Sequence, residues 1–143
     1  MNFFALLVLG HLVGDFLLQP KWMAMDKNGN WYTCTIHCLV YTLAVTLFTW
    51  PTMAFHLSWP LVVFLTHWPI DYFSLADKWL AVIEGRSLKD FFLNGHKNLK
   101  EETPELDMNH RILRGGFTSV VYTVTDNTMH LVLMYLAAVI LYL

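Results

Sequence analysis

Charged residues are scarce in this chain. Asp, Glu, Lys and Arg together make 14% of its 143 residues, where a soluble domain carries about 25%. That scarcity excludes a disordered segment, which is charged and poor in apolar residues, and it argues against an ordinary soluble globule. There is no basic excess either. The net charge is −2, which argues against nucleic acid as a partner. Cysteine is limited to Cys34 and Cys38, four residues apart, so no disulfide framework holds the fold. No stretch alternates apolar and polar residues over several strands, which argues against a membrane barrel. What is abundant is apolar: 56% of the residues are hydrophobic. The length allows one domain, and the composition points to a small integral membrane protein.

A membrane helix needs about 20 mostly apolar residues. Four segments qualify: about 2–19, closed by Pro20; 33–50, closed by Pro51; 59–77; and 117–143. The expected fold is therefore an all-α, four-helix membrane bundle occupying residues 1–143. The first segment has no Lys or Arg before it and no small-residue cleavage site after it, so it reads as a retained span rather than a signal peptide. Trp22, Trp31, Trp50, Trp59 and Trp79 fall at the span ends, where interfacial aromatics belong. Every Lys and Arg lies in the connections 20–32 and 78–116. With four spans both connections share one side, and the positive-inside rule makes that side cytoplasmic, with both termini outside. The expected location is the bacterial inner membrane. Within 78–116, Leu88, Phe91, Phe92 and Leu93 suggest a short interfacial helix. The polar segment from Asn94 to Asn109 reads as a lid or as a solvated connector.

Ionisable residues inside the spans carry the functional signal. They are His11 and Asp15 in the first, His37 in the second, His67 and Asp71 in the third, and Asp126 and His130 in the last. A charge at membrane depth costs about 2.5–3.5 kcal/mol even on the gentlest scale. His-x3-Asp occurs twice and Asp-x3-His once, and residues four apart share a helix face. Gln19 extends the first face by another turn. Counted from the cytoplasmic ends, all of these groups fall in the inner or middle part of the bilayer. The stretches Gly10–Phe16 and Thr66–Tyr72 read as a weak internal repeat, as in membrane proteins with a site at the repeat interface.

Imidazole and carboxylate are ligands for Zn, Mn and Fe(II), and this set has enough of them for one or two ions. A divalent transition metal, Zn first, offsets the burial of the carboxylates. It also lowers the pKa of a bound water toward about 7, and a carboxylate outside the ligand set then serves as general base. Two other readings stay open on the residues alone. One is a proton relay; the other is a set of buried His–Asp hydrogen bonds. Cys34, His37 and Cys38 share a face with soft-ligand spacing, but cysteine is commonly a small buried residue, and the two thiols are read as packing. His56, His96 and His110 are left outside the site.

Residues 10 to 19, Gly-His-Leu-Val-Gly-Asp-Phe-Leu-Leu-Gln, resemble the opening motif of an uncharacterised family of small bacterial and phage membrane proteins, roughly H-x3-D-[FW]-x2-Q. The resemblance continues with His37 in the second span, His67 and Asp71 in the third, and Asp126, Asn127 and His130 in the last. It therefore covers all four spans. Asn127 stands where the pattern has Gln. Tyr72 and Phe73 stand where a Lys often follows the third-span Asp, and Lys78 is almost two turns further on. The family is similar to membrane-bound proteins predicted to be metal-dependent hydrolases, and that activity is what the resemblance implies.

The expectation is a membrane metalloprotein, a metal-dependent hydrolase working from the cytoplasmic side on a lipid-like or phosphorylated substrate. Its metal ligands are His11, Asp15, His37, His67, Asp71, Asp126 and His130. Asp15, Asp71 and Asp126 are the candidate catalytic carboxylates, and Gln19 and Asn127 orient ligands or bind substrate. Its partners are membrane lipid and a lipid or small-molecule substrate, with self-association left open. The alternatives are a small transporter or proton/metal conduit using the same residues, and a non-enzymatic phage membrane effector.

Overall fold

A computed structural model describes residues 2–53, 56–85 and 104–142. Among the described residues the structure is all-helical, with no strand. The elements are α1, Phe3–Leu12; a π-turn, Val13–Leu17; α2, Lys21–Asp26; α3, Trp31–Met53; α4, Trp59–Phe73; α5, Leu75–Ile83; and α6, Pro104–Tyr142. By its contacts the chain divides into two units, Met1–Ser74 with Thr128–Leu143, and Leu75–Asn127.

The first unit is built on α3. Asn2 caps α1 by accepting from the Ala5 amide at 2.8 Å, which satisfies one of the unpaired donors of a helix start. The α-helix then widens, and the Leu18 amide reaches back to the Val13 carbonyl at 3.0 Å. Pro20, with no N–H to continue the ladder, separates this segment from α2. The turn into α3 is held by side chains. Asp26 Oδ2 accepts from Asn30 Nδ2 at 2.6 Å and from Thr33 Oγ1 at 2.8 Å, and Asn30 Oδ1 accepts from the Tyr32 amide at 3.2 Å. Gly29 takes φ +80° there, and its amide donates to the Tyr72 carbonyl at 3.3 Å, tying the turn to the end of α4.

α1 and α4 both pack on α3, and the end of α6 completes the unit. Phe3, Leu7, Tyr41, Val45, Met53, Trp59, Val63, Met134 and Ala138 form its apolar core. Two glycines bring α1 and the π-turn close to α3. A Cβ on Gly10 would stand 2.9 Å from the Val45 Cα, and one on Gly14 would stand 2.7 Å from Tyr41 Cδ2. The outer faces are apolar: Leu39, Leu43 and Leu47 of α3, and Leu61 and Leu65 of α4, are each more than half exposed. The inside is polar where it matters, for His11, His37, His67 and His130 have no exposed surface.

In the second unit α5 buries Ala76, Asp77 and Leu80. The part of α6 within it carries two hydroxyls bonded back one turn, Ser119 to the Gly115 carbonyl and Thr123 to the Ser119 carbonyl, both at 2.9 Å.

Several boundaries differ from those expected. The third helix stops at Phe73, because Ser74 takes a left-handed conformation (φ 48°, ψ 54°). α3 runs through Pro51 to Met53; so near the end, that proline removes one hydrogen bond without stopping the helix. The last helix begins at Pro104 rather than near 117. Pro suits the first position of a helix, and Glu105 and Asp107 suit its first turn, so a polar sequence is helical there. The expected interfacial helix at Leu88–Leu93, and most of the segment expected as a lid, fall in residues 86–103, outside the described residues. Among the described residues two helices are long and apolar enough to cross a membrane: Trp31–Met53, and Gly115–Tyr142 within α6. Phe3–Leu17 is apolar but shorter, and Trp59–Phe73 has 15 residues.

The close approach at Gly10 has a measurable cost. Gly10→Ala should destabilise by about 1–3 kcal/mol, because the new methyl meets backbone that cannot move aside. Gly116→Ala, where a Cβ meets nothing within 4 Å, should stabilise by about 0.5–1 kcal/mol. Thermal unfolding in detergent of the two variants beside the unmodified protein checks both signs.

Candidate metal centre

Every group of the centre described here belongs to the first unit. His11 is in the last turn of α1, Asp15 in the middle of the π-turn, His37 on α3, His67 and Asp71 one turn apart on α4, and His130 near the end of α6. All six are buried.

Four of their atoms converge. His37 Nε2 lies 3.1 Å from Asp15 Oδ1 and 3.0 Å from Asp71 Oδ2. His67 Nε2 lies 3.1 Å from Asp71 Oδ2 and 3.6 Å from Asp15 Oδ1. The two imidazole nitrogens are 3.1 Å apart. Asp15 Oδ1 is buried without a partner in hydrogen-bonding geometry, while Asp71 Oδ2 has the Lys27 ammonium at 2.9 Å. Ligands held about 2.0–2.1 Å from a tetrahedral zinc stand about 3.3 Å apart, so the separations of 3.0 to 3.6 Å fit a divalent ion. Asp15, His37 and His67 form one compact set of ligand atoms.

The surroundings hold these ligands in position. With the Gln19 amide turned to satisfy its neighbours, its nitrogen donates to the Asp15 carbonyl at 3.0 Å. Its oxygen accepts from His37 Nδ1 at 3.2 Å and from Lys27 Nζ at 3.1 Å. A proton on His37 Nδ1 leaves Nε2 as a bare lone pair, the form a ligand requires. His11 acts on the other side of Asp15. Its Nδ1 is 3.4 Å from Asp15 Oδ2 and 2.7 Å from the Tyr41 hydroxyl, which in turn donates to Met134 Sδ at 3.4 Å. The Tyr41 ring stacks on His67 with centroids 3.6 Å apart, and His130 stacks on His67 at 4.0 Å. Together these stacks fix the plane of that imidazole. His130 Nε2 lies 3.4 Å from Asp71 Oδ1.

The structure thus brings together His11, Asp15, Gln19, His37, His67, Asp71 and His130. Asp126 and Asn127 belong to the second unit, in the turn of α6 before His130. The Asn127 amide donates to the Thr123 carbonyl at 2.6 Å.

Three residues enter that the sequence reading did not place here. Lys27 brings its ammonium 2.9 Å from Asp71 Oδ2 and 3.5 Å from His37 Nε2. The positive charge sought after the third-span Asp arrives from a different connection, and in the sequence it counted only toward orientation. Tyr41 was within reach of the helical pattern, being four residues after His37 on the same face. Cys38 forms a second compact ligand set with His67 and Asp71, although its spacing had been noted and set aside as packing.

The chain belongs to a family of proteins of unknown function, DUF3307, whose model matches residues 3–143. No curated protein and no solved structure matches it.

Two substitutions should move metal affinity in opposite directions. Gln19→Leu removes the acceptor that orients His37 and should weaken binding about 10–100-fold, as loss of an outer-shell partner does. Lys27→Met removes a cation that competes for Asp71 and should tighten binding about tenfold. That is a fraction of the ~4 kcal/mol between unit charges 4 Å apart at an effective dielectric of about 20. Competitive titration of zinc against a chelator in detergent measures both.

Proposed function

We propose that this chain is a four-span membrane metalloprotein with metal-dependent hydrolase activity. The observation that carries this is the buried placement of Asp15 Oδ1 and Asp71 Oδ2, each 3.0 to 3.6 Å from both His37 Nε2 and His67 Nε2, which stand 3.1 Å apart. A buried pair of carboxylates without a cation is costly. Lys27 offsets part of that charge, and a divalent ion offsets the rest. Zinc suits this ligand set best; Mn and Fe(II) are the alternatives, with one or two ions.

The exposed leucines of α3 and α4 support a lipid surrounding, since a soluble protein rarely leaves such apolar stripes open. In that setting α1 with the π-turn, α3, α4 and the end of α6 are the spans. The basic connections then face the cytoplasm of a bacterial inner membrane. Asp15, Gln19 and Lys27 lie toward that side, so the site is reached from there. A substrate with a lipid tail and a polar or phosphorylated head suits the depth.

A divalent ion bound there would polarise the scissile group and activate water. The protein's own groups do the remainder. Gln19 holds the tautomer of His37. Asp15 has one oxygen in the ligand set and the other against His11 Nδ1, and it is the group placed to accept a proton. Asp71, between His67, His37 and Lys27, is the anchoring carboxylate. Asp126 and Asn127 are further candidates, for catalysis and for substrate binding.

Metal analysis of detergent-purified protein tests this, with Asp71→Ala beside the unmodified chain and no chelator used. One or two equivalents of a transition metal should be present in the unmodified protein, and less than about a tenth of that in the variant. The loaded protein should then hydrolyse phosphate or carboxylate esters presented in mixed micelles. Equal metal in both proteins, or none in either after metal is added back, removes the proposal.

A conduit reading has one observation in its favour. The hydroxyls of Thr42 and Thr46, further along α3 from His37, are buried without a hydrogen-bond partner, and Thr46 lines a small cavity with Trp50, Met53, His56 and Trp59. Proteoliposomes decide between the two. Proton or zinc flux abolished by Thr46→Val would favour a conduit, and absence of flux favours the hydrolase.

A further inference from the structure

We propose that Cys38 is a thiolate ligand of this centre and makes it selective for thiophilic divalent ions. The inference rests on the metal-centre reading and adds a donor that changes which ion the site prefers. Cys38 has no exposed surface. Its sulfur, a nitrogen of His67 and an oxygen of Asp71 all lie within 4.8 Å of one another. A thiol kept only for packing would face apolar side chains. This one has an imidazole nitrogen and a buried carboxylate oxygen beside it.

A second thiol supports it. Cys34, one turn earlier on α3, has its Sγ 3.9 Å from Cys38 Sγ and 3.8 Å from the Trp68 carbonyl. Cys34 is also fully buried. The Cys34 S–H donates to the Trp68 carbonyl; once Cys38 has lost its proton, that S–H can turn to Cys38 and stabilise the thiolate, without Cys34 being a ligand itself. Thiols bind metals as thiolates, and the ion drives off the proton. The proton from Cys38 leaves on binding, and the S–metal contact replaces the S–H.

His67 belongs both to the set with Asp15 and His37 and to the set with Cys38 and Asp71. The centre is therefore a mixed N, O and S site with its thiolate on the Asp71 side. Soft thiolate favours Zn, and Co(II) and Cd(II) as probes, over Mn(II) and Mg(II), which prefer oxygen.

The test is Co(II) titration of the full-length protein in detergent, followed by absorption spectroscopy. Visible d–d bands report an ion on the protein, and a near-ultraviolet sulfur-to-cobalt charge-transfer band reports a thiolate ligand. The charge-transfer band should appear in the unmodified protein and in Cys34→Ser. It should vanish in Cys38→Ser, which keeps the d–d bands. Preference for Zn over Mn in competition should fall at least about tenfold in Cys38→Ser. The chain has only two cysteines, so a band retained in Cys34→Ser assigns Cys38 even if Cys38→Ser does not fold. Visible bands without a charge-transfer band in the unmodified protein would overturn the thiolate and leave the His/Asp centre standing. A band lost in Cys34→Ser and kept in Cys38→Ser would also overturn it. No cobalt absorption in any protein would overturn both readings.

Discussion

Two buried carboxylates sharing one small space impose the main demand on this molecule. Asp15 comes from the π-turn and Asp71 from α4, and each has an oxygen about 3 Å from His37 Nε2. Left to themselves such groups repel each other and lose their hydration. Much of the first unit meets this demand. The two glycines let α1 and the π-turn close on α3, which brings Asp15 to His37. The Asp26–Asn30–Thr33 turn fixes the start of α3 beside Lys27, whose ammonium reaches Asp71. Gln19 reads three neighbours at once.

The polarity of the unit follows from the same demand. Its four buried imidazoles are packed against Tyr41, Met134 and the apolar core, while leucines cover the outside. This inverts the usual arrangement; a soluble protein rarely leaves such apolar stripes open. Strong fields survive in such an interior because no water screens them.

Much of this was legible in the sequence because it rests on periodicity. His and Asp four apart on apolar helices must share a face, and that reasoning paired His11 with Asp15, His67 with Asp71 and Asp126 with His130; the structure brings the first two pairs together with His37 and His130. The same reasoning gathered Gln19. Residues whose approach depends on tertiary packing stayed out of reach. Lys27 reaches Asp71 across more than forty residues of sequence, through a turn whose direction depends on Gly29. Cys38 was visible by spacing, but nothing in a spacing separates a packed thiol from a facing one. Helix ends were less legible than helices. Hydropathy shows where an apolar run stops, whereas Ser74 ends α4 by its backbone angle, and Pro104 starts α6 in a polar stretch.

The π-turn at Val13–Leu17 carries a consequence for how this centre tolerates changes in length. A helix absorbs one extra residue either by rotating everything beyond it about 100° or by swallowing it in a single wide turn. This chain takes the second course, and the wide turn falls on the residue that must face His37. Deleting one residue from that turn would restore regular winding. His11, upstream, and Gln19, downstream, would keep their facing, while Asp15, inside the turn, would lose the wide winding that aims it at His37. The wide turn between the opening histidine and the glutamine is therefore a mechanical setting of the site, and a change of length there is graver than most changes of residue.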